Sequence, residues 1–141
     1  MAKTNKPRVS EKEARAFAKH IRTSPRKLGL VAGLIRGKKV GDALQALEFC
    51  QRRVSGPAKD VLNSAIANAE NNHNLNVDKL IVSEVWVGKS ITMKRFRARA
   101  KGRGARILKP FSNLTIIVKE IEETVKPSKS AKADTAKKKG E

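Results

Sequence analysis

The sequence predicts an α+β fold in which a small three-helix domain packs on an antiparallel three-stranded sheet, with a long protruding β-hairpin and a disordered Lys-rich tail. Apolar residues recur at helical spacing in three segments. β-Branched and aromatic residues concentrate in two later segments, 80–87 and 114–121, and a long basic insert separates these two. After residue 125 the chain is mostly lysine, alanine, serine and threonine, a composition that cannot form a core.

These features divide the 141 residues into three parts. We expect residues 1–12 to form a basic flexible N-terminal arm. Residues 13–125 then form a single α/β domain, which includes an extended β-hairpin at about residues 84–115. Residues 126–141 form the disordered Lys/Ala-rich tail.

Three helices are predicted from start signals and apolar stripes. The first begins at Ser24 as N-cap with Pro25 in the first helical position, and it ends near Gly37. A short second helix covers 42–50, and a third runs from 55 to about 72. The first and third helices present continuous apolar faces, which consist of Leu28, Val31, Ala32 and Ile35 in one and Ala58, Val61, Leu62, Ala65, Ile66 and Ala69 in the other.

Residues 14–22 fit two patterns. Ser10 and Glu13 form a possible capping box, which favours a helix. The alternation of larger residues such as Phe17 with small ones such as Ala16 favours a strand, which we predict here. Further along the chain, we expect Trp86 to lie in the core and Cys50 to be a small buried apolar residue.

The basic insert carries a cation at every second position, namely Arg95, Arg97, Arg99, Lys101 and Arg103. A helix would scatter these side chains around its axis, whereas an extended strand puts all five on one face and Phe96 on the other. The insert therefore predicts the outer part of a long hairpin with arms of roughly 13 residues, on the order of 40 Å long. Such a ribbon is too polar to form its own core, and so we expect a partner to surround it.

The net charge of +19 implies a polyanionic partner, either a nucleic acid or an anionic membrane surface. A near-neutral centre, residues 40–84, separates two segments of net charge +10 each, residues 1–39 and 85–119, and the latter contains no acidic residue. We expect no transmembrane helix, secretory signal or internal disulfide, because the chain has no long apolar run, no apolar N-terminal region and a single cysteine.

Three segments, SPRKLGLVAGLIRGKKVGDAL, VLNSAIANAENNHNL and MKRFRARAKGRGARILKPFSNLTIIV, resemble the large-subunit ribosomal protein family numbered twenty-two. The resemblance covers about residues 13–120 and implies a domain on the outer surface of the large subunit. It also implies that the hairpin lines the peptide exit tunnel. Family members commonly carry Asp-Glu-Gly-Pro before the tip, whereas this chain has Val87-Gly88-Lys89-Ser90. The tunnel-lining tip implied here consists of Lys89, Ser90, Met93, Lys94, Arg95 and Phe96.

Three groups of residues are candidates for RNA contact. A group around the first helix consists of Arg22, Ser24, Arg26, Lys27, Arg36, Lys38 and Lys39, for which ordinary solvated charge is the alternative. Asn68 and Asn71 either contact RNA or cap the third helix. The hairpin group consists of Lys94, Arg95, Arg97, Arg99, Lys101, Arg103, Arg106 and Lys109, in which arginine suits phosphate contacts and stacking on bases.

The predicted function is that of a structural, rRNA-binding constituent of the large subunit in the cytoplasmic ribosome. Its expected partners are large-subunit rRNA, neighbouring large-subunit proteins and the nascent peptide that passes the hairpin tip, with no membrane, cofactor or metal. The alternatives are a DNA-bending architectural protein with basic β-ribbon arms and a binder of membrane surfaces or acidic proteins. An enzyme is not expected, because His20, His73 and Cys50 lack metal-ligand spacing and no catalytic motif is present.

Overall fold

The computed structural model describes residues 12–121. Three helices lie on one face of an antiparallel sheet with the strand order β1-β3-β2, which confirms the predicted fold class. The predicted tail, and the arm up to residue 11, lie outside the described residues. The elements are β1 (Glu13–Ile21), α1 (Pro25–Ile35), α2 (Val40–Glu48), α3 (Ser55–His73), a 3-10 turn (Val77–Lys79), β2 (Leu80–Ala98) and β3 (Gly104–Glu120).

The ambiguous segment near the N-terminus is a strand. In β1 the small residues Ala14 and Ala16 face the helices and are buried, while Phe17 points to the open face of the sheet. Small side chains allow α3 to approach the sheet closely, and the amide of Asn68 on α3 donates to the Arg15 carbonyl at 3.1 Å. The alternation that favoured a strand therefore reflects a sheet with one packed face.

The helices begin and end close to the predicted residues. Pro25 occupies the first turn of α1, and Ser24 before it is extended, although its side chain makes no capping hydrogen bond. After α1, Gly37 adopts a φ of +76° and donates its N–H to the Val82 carbonyl at 2.8 Å, so that α1 is joined to the edge strand β2. α2 ends at Glu48, and Cys50 beyond it is half-buried rather than buried as predicted.

The prediction that Trp86 belongs to the core is wrong, because its side chain is 63% exposed. The side chains of Leu80 and Val82 point inward, and strict alternation would make residues 84 and 86 point inward as well. A register irregularity between Val82 and Glu84 moves the inward positions to Val85 and a half-buried residue 87. One extra residue in a strand turns every later side chain to the other face, and this bulge therefore exposes the tryptophan.

The core lies between the helices and the inner face of the sheet. Its largest fully buried side chains are Leu28, Ile35, Leu47, Leu62, Leu80, Leu114 and Ile116. Two polar residues are buried in the described part of the chain, Thr23 and Ser112. Ser112 on β3 is 0% exposed, and its hydroxyl donates to the Thr23 carbonyl at 2.7 Å. This bond fixes the connection between β1 and α1 to the central strand.

We expect Ser112→Ala to lower the free energy of unfolding by about 1–3 kcal/mol, because the Thr23 carbonyl would stay buried without its donor. Urea denaturation of the full chain measures this change. Ser90→Ala removes a hydroxyl that bonds His20 at the surface, and its expected effect is below about 0.5 kcal/mol. Equal losses in the two variants would contradict the prediction.

Candidate nucleic-acid interface

Beyond the core, β2 and β3 continue together as a two-stranded ribbon. Their pairing runs from Lys89 opposite Ser112 to Ala98 opposite Gly104, with a second irregularity between Lys89 and Thr92. All side chains from residue 93 to residue 104 are exposed. At about 3.3 Å per residue the ribbon extends on the order of 35 Å from the core. The predicted long hairpin is therefore present, and among the described residues no third strand pairs with it beyond Ser112, which still pairs with Ile21 of β1.

The chain reverses direction at residues 99–103. Lys101 and Gly102 have φ values of +60° and +66°, as the two central residues of a type I′ hairpin turn require. The Arg103 N–H donates to the Ala100 carbonyl at 3.4 Å, and the Arg99 N–H donates to the Arg103 carbonyl at 2.8 Å. We predicted that five alternate cations share one face of a strand. This prediction is wrong for Arg99, Lys101 and Arg103, because β2 ends at Ala98 and these three residues belong to the turn.

The two faces of the ribbon are both cationic. Arg95 and Arg97 point to one face, opposite Ile107 and Ala105 in the partner strand, and Lys109 lies further along this face. The other face carries the set Lys94, Phe96, Arg106 and Leu108. Arg95 and Phe96 thus lie on opposite faces as predicted, but the cations that flank them make the ribbon positive all round.

Within the described part of the chain, these cations have no carboxylate partner. No carboxylate occurs between residues 85 and 119, and among residues 12–121 no hairpin lysine or arginine forms an ion pair. Two ion pairs of the domain lie elsewhere, between Lys59 and Glu48 at 3.4 Å and between Lys119 and Glu13 at 3.7 Å. An unpaired array of this kind is suited to phosphate groups, for which arginine provides a planar donor fork.

Phe96 packs across the ribbon while it stays 76% exposed. Its ring lies directly over Gly104, in the space that a side chain at that position would fill. An aromatic ring over a glycine of the paired strand stabilises a ribbon that has no core. Phe96 therefore packs across the two strands, and one face of its ring remains available.

We expect Gly104→Ala to displace the Phe96 ring and loosen the ribbon near its turn, because the new methyl group would collide with the ring. Hydrogen exchange should show faster exchange of the cross-strand hydrogen-bonded amides at Arg97 and Ala105, while amides of the core strands are unchanged. Gly88→Ala is the matched control, because nothing lies within 4 Å of a side chain at that position. Slower or unchanged exchange in the Gly104 variant would contradict the expectation.

The residues implied as the hairpin tip do not lie at the turn. Lys89 and Ser90 are near the base of the ribbon, where the Ser90 hydroxyl is 2.7 Å from Nδ1 of His20 at the end of β1. The other four, Met93, Lys94, Arg95 and Phe96, lie part-way along β2. The expectation that these six residues form the tip is therefore wrong. The turn lies further along the chain, at Lys101 and Gly102.

The basic residues around α1 form two separate clusters. Arg22, Arg26 and Lys27 lie at the start of the helix, and Arg36, Lys38 and Lys39 lie beyond its end. The 11 residues of α1 span about 16 Å, so the two clusters are separate patches of the surface. Ser24 is half-buried between the first cluster and the helix.

Arg36 has a defined position. Its Nη2 donates to the Val85 carbonyl at 2.6 Å, which holds the guanidinium at the outer edge of β2. At the end of α3 the two candidate asparagines differ. Asn68 uses its amide to bind β1, whereas Asn71 is exposed, and the left-handed residue that ends the helix is Asn74 with a φ of +51°.

Residues 12–121 contain no helix that is long and apolar enough to cross a bilayer. Within the same residues, no three side chains among His, Cys, Asp and Glu gather where they could hold a metal ion. The two histidines are far from each other in the fold, with His20 at the end of β1 and His73 as the last residue of α3.

Comparison with known proteins identifies the family of this fold. The sequence profile of the family described as Ribosomal protein L22p/L17e matches residues 16–119, from β1 to the end of β3. The chain belongs to the Ribosomal protein L22p/L17e family. The resemblance seen in the sequence is therefore confirmed, and the matched L22p/L17e region includes the whole hairpin.

Individual relatives agree with the L22p/L17e assignment. Large ribosomal subunit protein uL22 of Maricaulis maris (strain MCS10) is 65% identical over 120 residues, which cover 85% of this chain and 95% of that protein. The protein of the same name from Mesorhizobium japonicum (strain LMG 29417 / CECT 9101 / MAFF 303099) is 61% identical over 124 residues, 87% of this chain and 96% of that protein. Because L22p/L17e proteins are structural, the expectation that the chain is not an enzyme is confirmed.

Proposed function

We propose that the chain is a structural constituent of the large ribosomal subunit, which binds and organises large-subunit rRNA. Family membership supports this function, and its location is the cytoplasmic ribosome. The observation that carries the mechanism is the ribbon beyond the core, which is cationic on both faces and has no carboxylate partner within the described residues. Its side chains bridge phosphates of RNA segments that would otherwise repel one another.

The ribbon and the two α1 clusters have different tasks in this mechanism. The body docks on folded rRNA through Arg26 and Lys27 at one end of α1 and through Lys38 and Lys39 at the other. The ribbon threads between rRNA segments and becomes fully ordered there, because a two-stranded hairpin without a core is only marginally stable in water. Neighbouring large-subunit proteins complete the surroundings of the body.

Sedimentation of a native cell extract through a sucrose gradient in high salt tests this function, with the protein followed by immunoblot. Loosely bound cationic proteins dissociate at high salt because phosphate contacts weaken steeply. A protein with a threaded ribbon should instead migrate with the large subunit. Release to the top of the gradient would contradict the proposal, and migration with chromosomal DNA would favour the DNA-bending alternative.

The finer proposal is that the ribbon lines the nascent-peptide exit tunnel. The family resemblance suggests Met93, Lys94 and Arg95 as wall residues, and the ribbon's length of about 35 Å supports a role deep inside the particle. The turn at 99–103 then reaches beyond these residues. The nascent peptide is the partner that this proposal adds.

Crosslinking from single cysteines tests the tunnel proposal. Cys50 is the only cysteine and is first changed to serine, after which Met93→Cys is introduced and ribosomes that carry a stalled nascent chain are treated with a thiol crosslinker. We expect a crosslink to the nascent chain from position 93 and none from the control Lys59→Cys, which lies on α3 in the body. Crosslinks only to rRNA from position 93 would contradict the tunnel proposal and leave the rRNA-binding function intact.

A further inference from the structure

The sheet has an open face on which two aromatic side chains lie in one row. Thr115 on the central strand pairs with Phe17 of β1 on one side and with Trp86 of β2 on the other. All three point away from the helices, and the two rings are 44% and 63% exposed. Strands are about 4.8 Å apart, which puts the two aromatic positions about 10 Å from each other across the sheet.

Each ring is held in place by a polar neighbour on the same face. The indole Nε1 of Trp86 donates to the Glu84 carboxylate at 2.7 Å, which restricts the orientation of the ring. The guanidinium carbon of Arg15 lies 5.7 Å from the centroid of Phe17, within the range of a cation–π interaction. These contacts favour one orientation of each ring.

Positive charge surrounds this row. Arg15, Lys19 and Lys119 lie on the open face, and Arg36 joins Trp86 in lining an open depression of about 320 Å³ at the edge of β2. The carboxylates of Glu13 and Glu84 lie on the same face, the first in an ion pair with Lys119. Four cations against two carboxylates make the face attractive to a polyanion.

We propose that this open face is a stacking platform for two unpaired nucleotides of the RNA, one base on Phe17 and one on Trp86. Exposed aromatic rings on an open sheet are a general means of binding single-stranded RNA, because every base has a π-face. Arg36 is positioned to hold a phosphate beside the base on Trp86. The platform rests on the proposed function and adds to it a single-stranded site that is separate from the hairpin.

A protein segment is the other class of occupant for such a face, but the charge does not favour it. The depression beside Trp86 is lined by Arg36 and Glu84 as well as by the ring, and the nearest charges along β1 are the cations Arg15 and Lys19. A duplex is also disfavoured, because paired bases are stacked on each other and present no free ring surface.

Fluorescence of the full chain tests the platform. Trp86 is the only tryptophan and the chain has no tyrosine, so the emission reports on this ring alone. A short oligouridylate should quench the emission to saturation, because a stacked base quenches indole. A blunt RNA duplex of equal length should bind through phosphates and leave the emission unchanged.

Variants separate stacking from general charge attraction. We expect Phe17→Leu to weaken binding of a labelled oligouridylate about fivefold or more, since stacking on one base contributes roughly 1–3 kcal/mol. Phe49→Leu is the matched control, because Phe49 is 84% exposed but lies beyond α2, outside the platform. Trp86→Phe should retain binding, whereas Trp86→Leu should weaken it as Phe17→Leu does.

Equal quenching by the oligouridylate and the duplex, no quenching by either, or equal affinity of Phe17→Leu and Phe49→Leu would overturn the platform. A protein segment would then be the candidate for this face. These outcomes do not affect the ribosomal function, because migration with the large subunit in high salt is measured separately. A chain that failed to migrate with the subunit while Trp86 was still quenched by oligouridylate would overturn the proposed function and leave the platform standing.

Discussion

Reversal of three hairpin charges, Arg97→Glu, Arg99→Glu and Arg103→Glu together, is expected to prevent stable incorporation of the protein into large subunits. One of these residues lies near the end of β2, and the other two flank the turn. Each loses a charge-assisted contact to phosphate and gains a repulsion in its place. The expected loss of affinity is more than about a hundredfold, because hydrogen bonds to charged groups contribute about 1.5–3 kcal/mol each.

The folded body should not change in this variant. All three side chains are exposed, and the turn lies at the end of the ribbon that is farthest from the core. Far-UV circular dichroism and urea denaturation are therefore expected to match the unmodified chain. The measurement of incorporation is the fraction of the variant that migrates with salt-washed large subunits.

A control with the same change in net charge distinguishes the ribbon from general electrostatic attraction. Arg52→Glu, Lys59→Glu and Lys79→Glu together reverse three exposed or half-exposed cations of the near-neutral centre. We expect this variant to be incorporated almost normally, since only the surface pair of Lys59 with Glu48 is lost. If both triple variants failed equally, net charge rather than the ribbon would drive binding.

The local signals in the sequence were sufficient for the helices. Pro25 after Ser24 marked the start of α1, and the apolar stripe through Leu28 and Ile35 marked its buried face. These signals act within a few residues of one another, so sequence spacing captures them. The strand at β1 was recognisable for the same reason, because Ala14 and Ala16 alternate with larger side chains over a short distance.

Two features of the candidate site depend on local irregularities of β2, namely an extra residue in the strand and the position of the turn. The periodicity of the sequence does not reveal either of them. The bulge after Val82 exchanges the faces of β2 and exposes Trp86, although alternation from Leu80 predicts it to be inside. At the other end of the strand, a cation occurs at every second position both before and within the turn, so the sequence pattern does not mark where the chain reverses. The glycine at 102 was the available signal, because it tolerates the positive φ that the turn requires.

The platform of Phe17 and Trp86 could not be predicted from the sequence, because it depends on how strands distant in sequence pair. These residues come together only because both pair with Thr115 on the central strand. The two clusters at the ends of α1 illustrate the reverse case. Lys27 and Arg36 are close in sequence, but the helix between them holds them apart.

Among the predictions about the hydrophobic core, the largest change in the free energy of unfolding is expected at α1, where two leucines can be compared. Leu28 is 0% exposed against the sheet, whereas Leu30 is 59% exposed, because two residues of a helix lie about 200° apart around its axis. We expect Leu28→Ala to lower the free energy of unfolding by about 3 kcal/mol, since it removes buried methyl groups and leaves a cavity. Urea denaturation of the full chain, followed by far-UV circular dichroism, measures this change.

Leu30→Ala makes the same substitution on the same helix and isolates the effect of burial. Its expected change is about 0.5 kcal/mol or less, because an exposed leucine loses little contact and alanine is itself a good helix former. Similar large losses in both variants would mean that the outer face of α1 is covered by another part of the chain. A small loss at Leu28 would mean that the core closes around the cavity. A difference of a few kcal/mol between two leucines separated by one residue would instead show that packing between α1 and the sheet contributes much of the stability of the body.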